Sequence, residues 1–492
     1  MILIFEEEVN LPIKQSVCGN LIIGSQLTVQ NTPERISPEF YDAAHKSEHT
    51  CVKRIRLKEF AIRESLLTQL LEVPHIRSIR RLFVGIFCMA ILLTVLYNLA
   101  EFGTLNLGLG VFQAGFAKPH LSLAVWVTMQ TATFCVYPCF IGWACYRKRL
   151  KHGVLRAVCD YAYYLGVFTF QCSFLVLVTC SVVLLELPPA ATVAVLMEML
   201  RFVMKIHAFF WSNVSRVVDN STGVASFRQF TYFLFAPTLV YRDEYPRTSG
   251  IRWPVVFRHL KEFVCCVWFF SLVYEWLVFR QIGSFGEVKL SGGQFVLAFF
   301  SASAAGLMSV LLFFYCVQHC WSNAVAEVMY FGDRQFYEDW WNAHTFAQYM
   351  RRWNGIVHDW LHTYVYRESI ELVFRERRWL GTVLVFTISA FFHEVVMTAA
   401  FRNLYPVMAI QFEVGGLTFM FVKVHMSQGL GNTMLWIMHC LGNGVHVLLY
   451  AMEYYARRNC PADMGSLLHY AVPVSWSCNG IALSGNWSTS WN

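Results

Sequence analysis

Residues 295–318 read FVLAFFSASAAGLMSVLLFFYCVQ, a stretch that contains no Asp, Glu, Lys or Arg. A helix that crosses a bilayer needs about 20 consecutive apolar residues, so this stretch predicts a membrane-spanning helix. Further apolar runs predict the same and lie near residues 82–100, 121–146, 157–185, 263–279, 380–401, 405–422 and 432–452. The 492-residue chain is 56% hydrophobic and 14% charged, whereas soluble domains are typically about 25% charged. We therefore expect an all-α, multi-pass transmembrane helical bundle.

Basic residues beside these runs indicate the orientation of the chain, because loops rich in Lys and Arg remain in the cytosol. Such clusters occupy residues 53–81, 147–151 and 242–261. The second and third clusters can share the cytosolic side only if the chain crosses the membrane twice between them. Residues 157–185 supply one crossing, and residues 190–211 must supply the other. The sequence thus predicts about nine spans, a cytosolic N-terminus and a lumenal C-terminus.

The predicted span at 190–211 is unusual because it carries charged residues and a histidine. These are Glu198, Arg201, Lys205 and His207. Each charge at the bilayer centre costs about 2.5–3.5 kcal/mol on insertion scales. We therefore expect these side chains to face a protein interior or an aqueous cavity.

Composition also indicates the organisation of the chain. Met1–Phe5 is too short an apolar stretch for a signal peptide, and acidic residues follow it at once. We expect a cytosolic N-terminal region at 1–81, a membrane domain at 82–455 and a lumenal tail at 456–492. The net charge of +7 does not predict nucleic-acid binding, because the basic residues lie beside apolar runs, where they contact anionic membrane lipids.

The 16 cysteines are scattered, mostly within apolar segments. No CxxC pair with metal-ligand spacing occurs, so the sequence predicts no metal site. Cys460 and Cys478 fall in the predicted lumenal tail, where an oxidising compartment favours a disulfide over two free thiols. Asn486 begins a glycosylation sequon in the same tail.

His393 lies in the middle of the predicted span at 380–401, in the sequence SAFFHE. Burial disfavours the charged imidazolium, so we expect a neutral ring, which can accept a proton as a general base. The alternative is a histidine that only hydrogen-bonds a neighbouring helix. His439 and His446 in the last span show that a membrane histidine is not decisive by itself.

A stripe of polar residues follows in the predicted cytosolic segment 331–379. Its members are Gln348, Arg351, Asn354, His358, His362 and Tyr366. Their spacing of three or four residues predicts one face of a helix. Such donors and cations suit the phosphates and amides of coenzyme A. The alternative is the solvated face of an amphipathic helix.

Residues 336–342 read FYEDWWN and resemble the FYxDWWN motif of the membrane-bound O-acyltransferases. The motif residues are Phe336, Tyr337, Asp339, Trp340, Trp341 and Asn342. Residues 232–247, which read YFLFAPTLVYRDEYPR, and 358–361, which read HDWL, resemble the sterol O-acyltransferase branch of that family. The similar stretches run from about residue 58 to residue 478.

The resemblance implies a role for particular residues. His393 would be the catalytic base and Asn354 its partner. The residues at acyl-CoA-binding positions are Gln348, Arg351, Asn354, His358, Tyr366, Arg378 and Ser389. His75 would lie at a sterol site, and Cys460 and Cys478 match a lumenal disulfide. The family implies an endoplasmic-reticulum homo-oligomer, a dimer or a tetramer.

The predicted reaction is transfer of a fatty acyl group from acyl-CoA to a sterol hydroxyl, with neutral His393 removing the hydroxyl proton. No cofactor is needed, because acyl-CoA is a co-substrate and its thiolate leaves readily. The alternatives are a diacylglycerol O-acyltransferase, an enzyme that esterifies fatty alcohols, and a non-enzymatic lipid transporter. Inverted repeats would favour a transporter, and the sequence shows none.

Overall fold

The computed structural model describes residues 58–151, 153–219, 223–375, 377–421, 426–460 and 472–478. Apart from isolated bridges, these residues form only helices and loops, which confirms the predicted all-α class. The main helices, in chain order, are α1 (Leu66–Leu70), α2 (Pro74–Phe102), α3 (Gly110–Gly115), α4 (Pro119–Arg149), α5 (Val154–Leu184), α6 (Pro189–Val218), α7 (Phe227–Phe235), α8 (Trp253–Ile282), α9 (Gly292–Val328), α10 (Phe346–Trp353), α11 (355–374), α12 (Arg378–Phe401), α13 (Val407–Phe421) and α14 (Gln428–Asn459).

Each predicted span coincides with a helix, but the count of nine is not confirmed. Seven helices in the described part of the chain are long and apolar enough to cross a membrane: α2, α4, α5, α8, α9, α12 and α14. Helix α13, predicted as a span, is a shorter apolar helix. Helix α6 has the length of a span, but it carries the charges at positions 198–207. Whether these two helices cross the bilayer depends on their surroundings in the protein.

Helix α6 lies in the interior of the bundle, packed against α4, α5 and α12. Its charged side chains have protein partners, as predicted. Arg201 forms an ion pair with Glu198 at 2.8 Å. The buried Lys205 ammonium donates to the carbonyl oxygens of Phe233 and Ala236 at 2.5 and 2.7 Å. These contacts offset the desolvation of charges buried in the helical bundle.

Helices α9 and α14 pack most closely where small residues face each other. A side chain at Gly306 would collide with the backbone of Asn443, and one at Gly444 would collide with Ser303. Small residues allow helix backbones to approach within a membrane, where no hydrophobic effect drives helices together. This contact places α14 beside the centre of the bundle.

A disulfide closes the segment that follows α14, and the last residue of α14 bonds to the loop that follows α8. Cys460 and Cys478 form a disulfide with their Cα atoms 6.1 Å apart, so the predicted pairing is confirmed. The Asn459 amide donates to the carbonyl oxygens of Gly283 and Phe285 at 3.1 and 2.9 Å. The sequon at Asn486 lies outside the described residues.

A buried ion network connects the N-terminal segment to the end of α9. Glu327 and Arg334 are almost fully buried and are 2.5 Å apart. Glu327 also accepts from the Nε of Arg252 at 2.8 Å, and both arginines reach Glu64. Buried charges of this kind are stable only when each has its partners. The network therefore holds three distant segments of the chain in one arrangement.

We expect Glu327→Gln to destabilise the protein by about 3–5 kcal/mol, because it leaves the buried Arg334 without its main counter-charge. Thermal unfolding in detergent, followed by circular dichroism, measures the change. Glu244→Gln is the matched control, because Glu244 is exposed on the loop before α8. Equal unfolding midpoints for the two variants would contradict the role of the network.

Candidate active site

His393 lies in the middle of α12, and one of its ring nitrogens is engaged in a hydrogen bond. Its Nδ1 lies 2.7 Å from the carbonyl oxygen of Ser389, one turn earlier. A carbonyl can only accept, so Nδ1 carries the proton and donates it. In the neutral ring Nε2 then holds the free electron pair. The hydrogen bond therefore selects the tautomer in which Nε2 can act as a base.

The His393 ring is held from the side by α13. It stacks on Phe412 with the ring centroids 4.6 Å apart and the planes tilted by 26°. Glu394, the next residue, accepts from the backbone N–H of Ala409 at 3.0 Å, which fastens α12 to α13. His446 on α14 lies within electrostatic range of His393. Three helices thus surround the candidate base, while its side chain remains accessible.

Asn354 ends α10 and begins α11. Its Oδ1 accepts from the backbone N–H of Val357 at 3.2 Å, so the side chain caps the N-terminus of α11. Within the described residues the Asn354 amide group donates no hydrogen bond. A single helix carrying the whole stripe 348–366 was therefore a wrong prediction. The chain breaks at Asn354, whose backbone leaves the helical conformation, because its side chain satisfies a new helix terminus.

The stripe is divided between the two helices. On α10, the Gln348 side chain bonds to His344 through the backbone N–H and the ring, both at 3.2 Å. Arg351 lies on the same helix and is half-buried. Both residues precede the break at Asn354, so they lie on a different helix from the second half of the stripe.

On α11, His358, His362 and Tyr366 form a column of rings. Their centroids are 6.0 and 5.6 Å apart, with the ring planes within 20° of parallel. Burial lowers the pKa of His362 to about 4, and the nearby His358 adds to this effect. The ring of His362 is therefore neutral at pH 7. Burial raises the pKa of Tyr366 to about 12, an effect that Arg378 partly offsets.

Arg378 is the first residue of α12, and its electrostatic contact with Tyr366 places it at the end of this column. Ser389 and His393 lie further along the same helix. Helix α12 thus carries a cation at one end and the candidate base in its middle. Arg378 interacts with Tyr366 of α11 and shares α12 with His393. Helix α12 therefore links the predicted acyl-CoA-binding residues on α11 to the predicted base.

The FYEDWWN segment supports the site as a scaffold. Phe336, Tyr337 and Trp340 are buried. The Tyr337 hydroxyl lies 2.7 Å from Nδ1 of His319, and Asp339 pairs with Arg352 at 3.0 Å. Trp341 and Asn342 complete a short turn with Trp340. The segment therefore fixes the loop that leads into α10.

Asn432 is a supporting residue that the sequence reasoning missed. Its amide donates to the carbonyl oxygens of Trp341 and Ala343, both at 2.8 Å, and so ties α14 to the FYEDWWN segment. An isolated Asn in the predicted last span could have indicated it, because polar side chains in membrane helices need partners. His439 on α14 packs on the ring of Tyr349 of α10 at 4.3 Å.

His75 lies at the start of α2 and is exposed. Among the described residues it makes no hydrogen bond to the other predicted site residues. The next residue, Ile76, borders an open groove of about 700 Å³ that is also lined by Tyr337, Trp341 and Asn342. The structure therefore places the residue after His75 beside the FYEDWWN segment, and no described hydrogen bond joins His75 to His393.

Comparison with known proteins gives a family for this architecture. Residues 160–452 match the family model of the membrane-bound O-acyltransferase family. Sterol O-acyltransferase 1 of Chlorocebus aethiops is 33% identical over 436 residues, which cover 86% of this chain and 78% of that protein. Sterol O-acyltransferase 2 of Homo sapiens is 34% identical over 431 residues, covering 86% of this chain and 80% of that protein.

The matched region contains the base candidate, the ring column and the FYEDWWN segment. The relatives cover almost the whole described chain at more than 30% identity. The chain belongs to the membrane-bound O-acyltransferase family and is an acyl-CoA-dependent O-acyltransferase.

Proposed function

We propose that this enzyme transfers a long-chain fatty acyl group from acyl-CoA to the hydroxyl of a sterol, giving a steryl ester and free CoA. The relatives with these identities are named sterol O-acyltransferases, which supports a sterol acceptor. The enzyme would act in the endoplasmic-reticulum membrane as a homo-oligomer. Its N-terminus would be cytosolic and its C-terminus lumenal, where the disulfide at Cys460 and Cys478 is chemically favoured.

The hydrogen bond from Nδ1 of His393 to Ser389 carries this proposal, because it leaves Nε2 as the proton acceptor. The sterol O–H proton passes to Nε2 while the hydroxyl oxygen forms a bond to the thioester carbon. The C–S bond then breaks, and CoA leaves as a thiolate that takes the proton back from His393. No acyl-enzyme is required, since one attack transfers the acyl group directly.

Asn354 would stabilise the charge that develops on the thioester oxygen. Its Oδ1 is occupied by the N–H of Val357, so the amide N–H₂ remains to donate. A donor held by the backbone at a helix start is preorganised, and such donors contribute strongly to acyl transfer. The cap therefore does two things: it starts α11 and it orients the amide.

The acyl-CoA site would follow the divided stripe. Arg351 and Arg378 provide permanent positive charge for phosphates, and Gln348, His358 and Tyr366 provide further polar groups. Ser389 lies one turn before His393, where the acyl chain would reach the base. His75 would contact the sterol at the cytosolic edge of α2.

The first test supplies labelled oleoyl-CoA together with cholesterol and diacylglycerol to membranes that contain the enzyme. We expect labelled steryl ester, and a loss of about 100- to 10,000-fold in His393→Ala, the range for removal of a general base. That variant should still bind acyl-CoA. His120→Ala, at the exposed start of α4, is the control.

Label only in triacylglycerol would replace the sterol acceptor by diacylglycerol and keep the mechanism. No label in any ester would contradict the proposed reaction. Full activity of His393→Ala would contradict the role of the base.

A second test separates the two functions of Asn354. Asn354→Asp keeps an oxygen that can cap the N–H of Val357 but removes the donor. We expect a folded protein whose acyl transfer is reduced by about 100-fold or more, as when an oxyanion donor is removed. Unfolding midpoints and turnover are measured on the same preparation. Unchanged turnover would show that the Asn354 amide acts only as a cap.

A third test concerns the charge of the ring column. The pKa of His362 is lowered by burial from 6.5 to about 4, so the unfolded chain binds more protons between these values. Stability from the neutral ring is therefore present above about pH 6.5 and lost as the pH falls towards 4. The unfolding midpoint of the wild type should fall between about pH 7 and 5, and fall less in His362→Gln. An identical fall in both proteins would contradict a neutral, buried His362, and His120→Gln is the control.

A further inference from the structure

A compact group of side chains with metal-binding atoms lies where α8 and α9 meet, away from His393. Its members are His259 and Glu262 on α8 and Cys320 on α9. Nδ1 of His259 is 3.9 Å from Oε2 of Glu262, and the thiol of Cys320 donates a long hydrogen bond to the same oxygen, with Sγ 3.8 Å away. The three candidate ligand atoms lie within 4.8 Å of one another.

The histidine of this group lacks a hydrogen-bond partner. His259 is only 3% exposed, and its buried Nδ1 bonds to no other atom among the described residues. A buried ring nitrogen without a partner is costly, because it gives up its water and receives nothing in return. This nitrogen points toward the carboxylate and thiol at distances too long for a hydrogen bond to either. The ring nitrogen is therefore available to bind an ion together with the carboxylate and the thiol.

The carboxylate is oriented toward the same point. Oε1 of Glu262 faces Arg80 at 3.6 Å, while Oε2 accepts from the hydroxyl of Tyr315 at 3.1 Å. Oε2 thus lies nearest to His259 and Cys320. The Tyr315 oxygen, which is bonded to this carboxylate, or a water molecule would complete a four-coordinate set.

The separations fit tetrahedral zinc. Zinc bonds of about 2.0–2.1 Å to nitrogen, 2.0–2.2 Å to oxygen and 2.3 Å to sulfur, at tetrahedral angles, place N and O about 3.4 Å apart and S and O about 3.6 Å apart. The observed distances of 3.9 and 3.8 Å exceed these values by about 0.5 Å or less. The nitrogen and the sulfur, which lie within 4.8 Å of each other, would have to approach to about 3.6 Å. Nitrogen and sulfur ligands favour zinc over calcium or magnesium, which take oxygen ligands.

The charges also balance. Cys320 would bind as a thiolate and lose its proton to solvent, Glu262 would bind as a carboxylate, and His259 would bind as a neutral ring. Two negative ligands and one Zn²⁺ have no net charge. A neutral complex avoids most of the desolvation cost of placing a cation within a helical bundle.

We propose that His259, Glu262 and Cys320 bind one structural Zn²⁺ ion that joins α8 to α9. The ion takes no part in acyl transfer. Cys320 follows His319, whose ring contacts the hydroxyl of Tyr337 in the FYEDWWN segment. Zinc would thus fix the C-terminal part of α9, which contacts the FYEDWWN segment through His319.

The test measures the metal content of the full chain, purified in detergent without chelator and with any histidine tag removed. Mass spectrometry of the metal should find about one zinc per chain, as for a structural site. Cys320→Ser and His259→Gln should lose it. Cys316→Ser is the matched control: Cys316 lies one turn earlier on α9, is buried, and its thiol contacts the carbonyl of Phe263 instead of the group. It should retain zinc.

Cobalt provides a second measurement that needs no variant. When Co²⁺ replaces zinc in the wild type, a thiolate-to-cobalt absorption band in the near ultraviolet is expected, together with the intense visible bands of tetrahedral cobalt. Bound cobalt without the thiolate band would overturn the proposal. So would wild type that binds no zinc after incubation and removal of excess metal, or Cys320→Ser that retains it. These readouts do not depend on turnover, so they stand apart from the test of the acyltransferase reaction.

Discussion

Lys205 shows the constraint on which the rest of this structure depends: a polar group buried within the helical bundle needs a partner within the chain. Its ammonium is fully buried on α6 and is held by the carbonyl oxygens of Phe233 and Ala236. A buried ammonium has lost its water, so the segment 233–236 must lie against α6 to supply these carbonyl oxygens. The same reasoning explains the ion pair between Arg201 and Glu198 and the interior position of α6.

The same need for partners also orients the two candidate catalytic residues, His393 and Asn354. In an apolar helix the Nδ1–H of His393 donates to the nearest available carbonyl, that of Ser389 in its own helix. One backbone contact therefore selects the tautomer and leaves Nε2 available. Asn354 follows the same logic at a helix start, where its Oδ1 satisfies the N–H of Val357. In both residues the side chain is oriented by the backbone before any substrate binds.

The FYEDWWN segment joins these two places. Trp340 packs against Phe314 of α9, Trp353 of α10 and Trp436 of α14, and Asn432 fixes the backbone of the turn. Aromatic rings supply large contact areas with few rotatable bonds, so a short segment can hold three helices. The position of α10, and with it Asn354, depends on this packing.

Local signals determined much of this protein from its sequence. The membrane helices, the exceptional His393, the FYEDWWN motif and the paired cysteines Cys460 and Cys478 were all visible there, because apolar length, isolated polar residues and short motifs are properties of neighbouring residues. The prediction of one continuous helix for the polar stripe was wrong, since residue spacing cannot show that Asn354 caps the start of a new helix.

Only the tertiary structure decided which distant groups meet. The network of Glu64, Arg252, Glu327 and Arg334 joins residues far apart in the chain. A search for spaced cysteine pairs does not find the group at His259, Glu262 and Cys320, because it contains one cysteine and its members lie on two helices. The free nitrogen of His393 likewise depends on a particular hydrogen bond. Partners of this kind are set by helix packing, which brings together residues that sequence spacing does not relate.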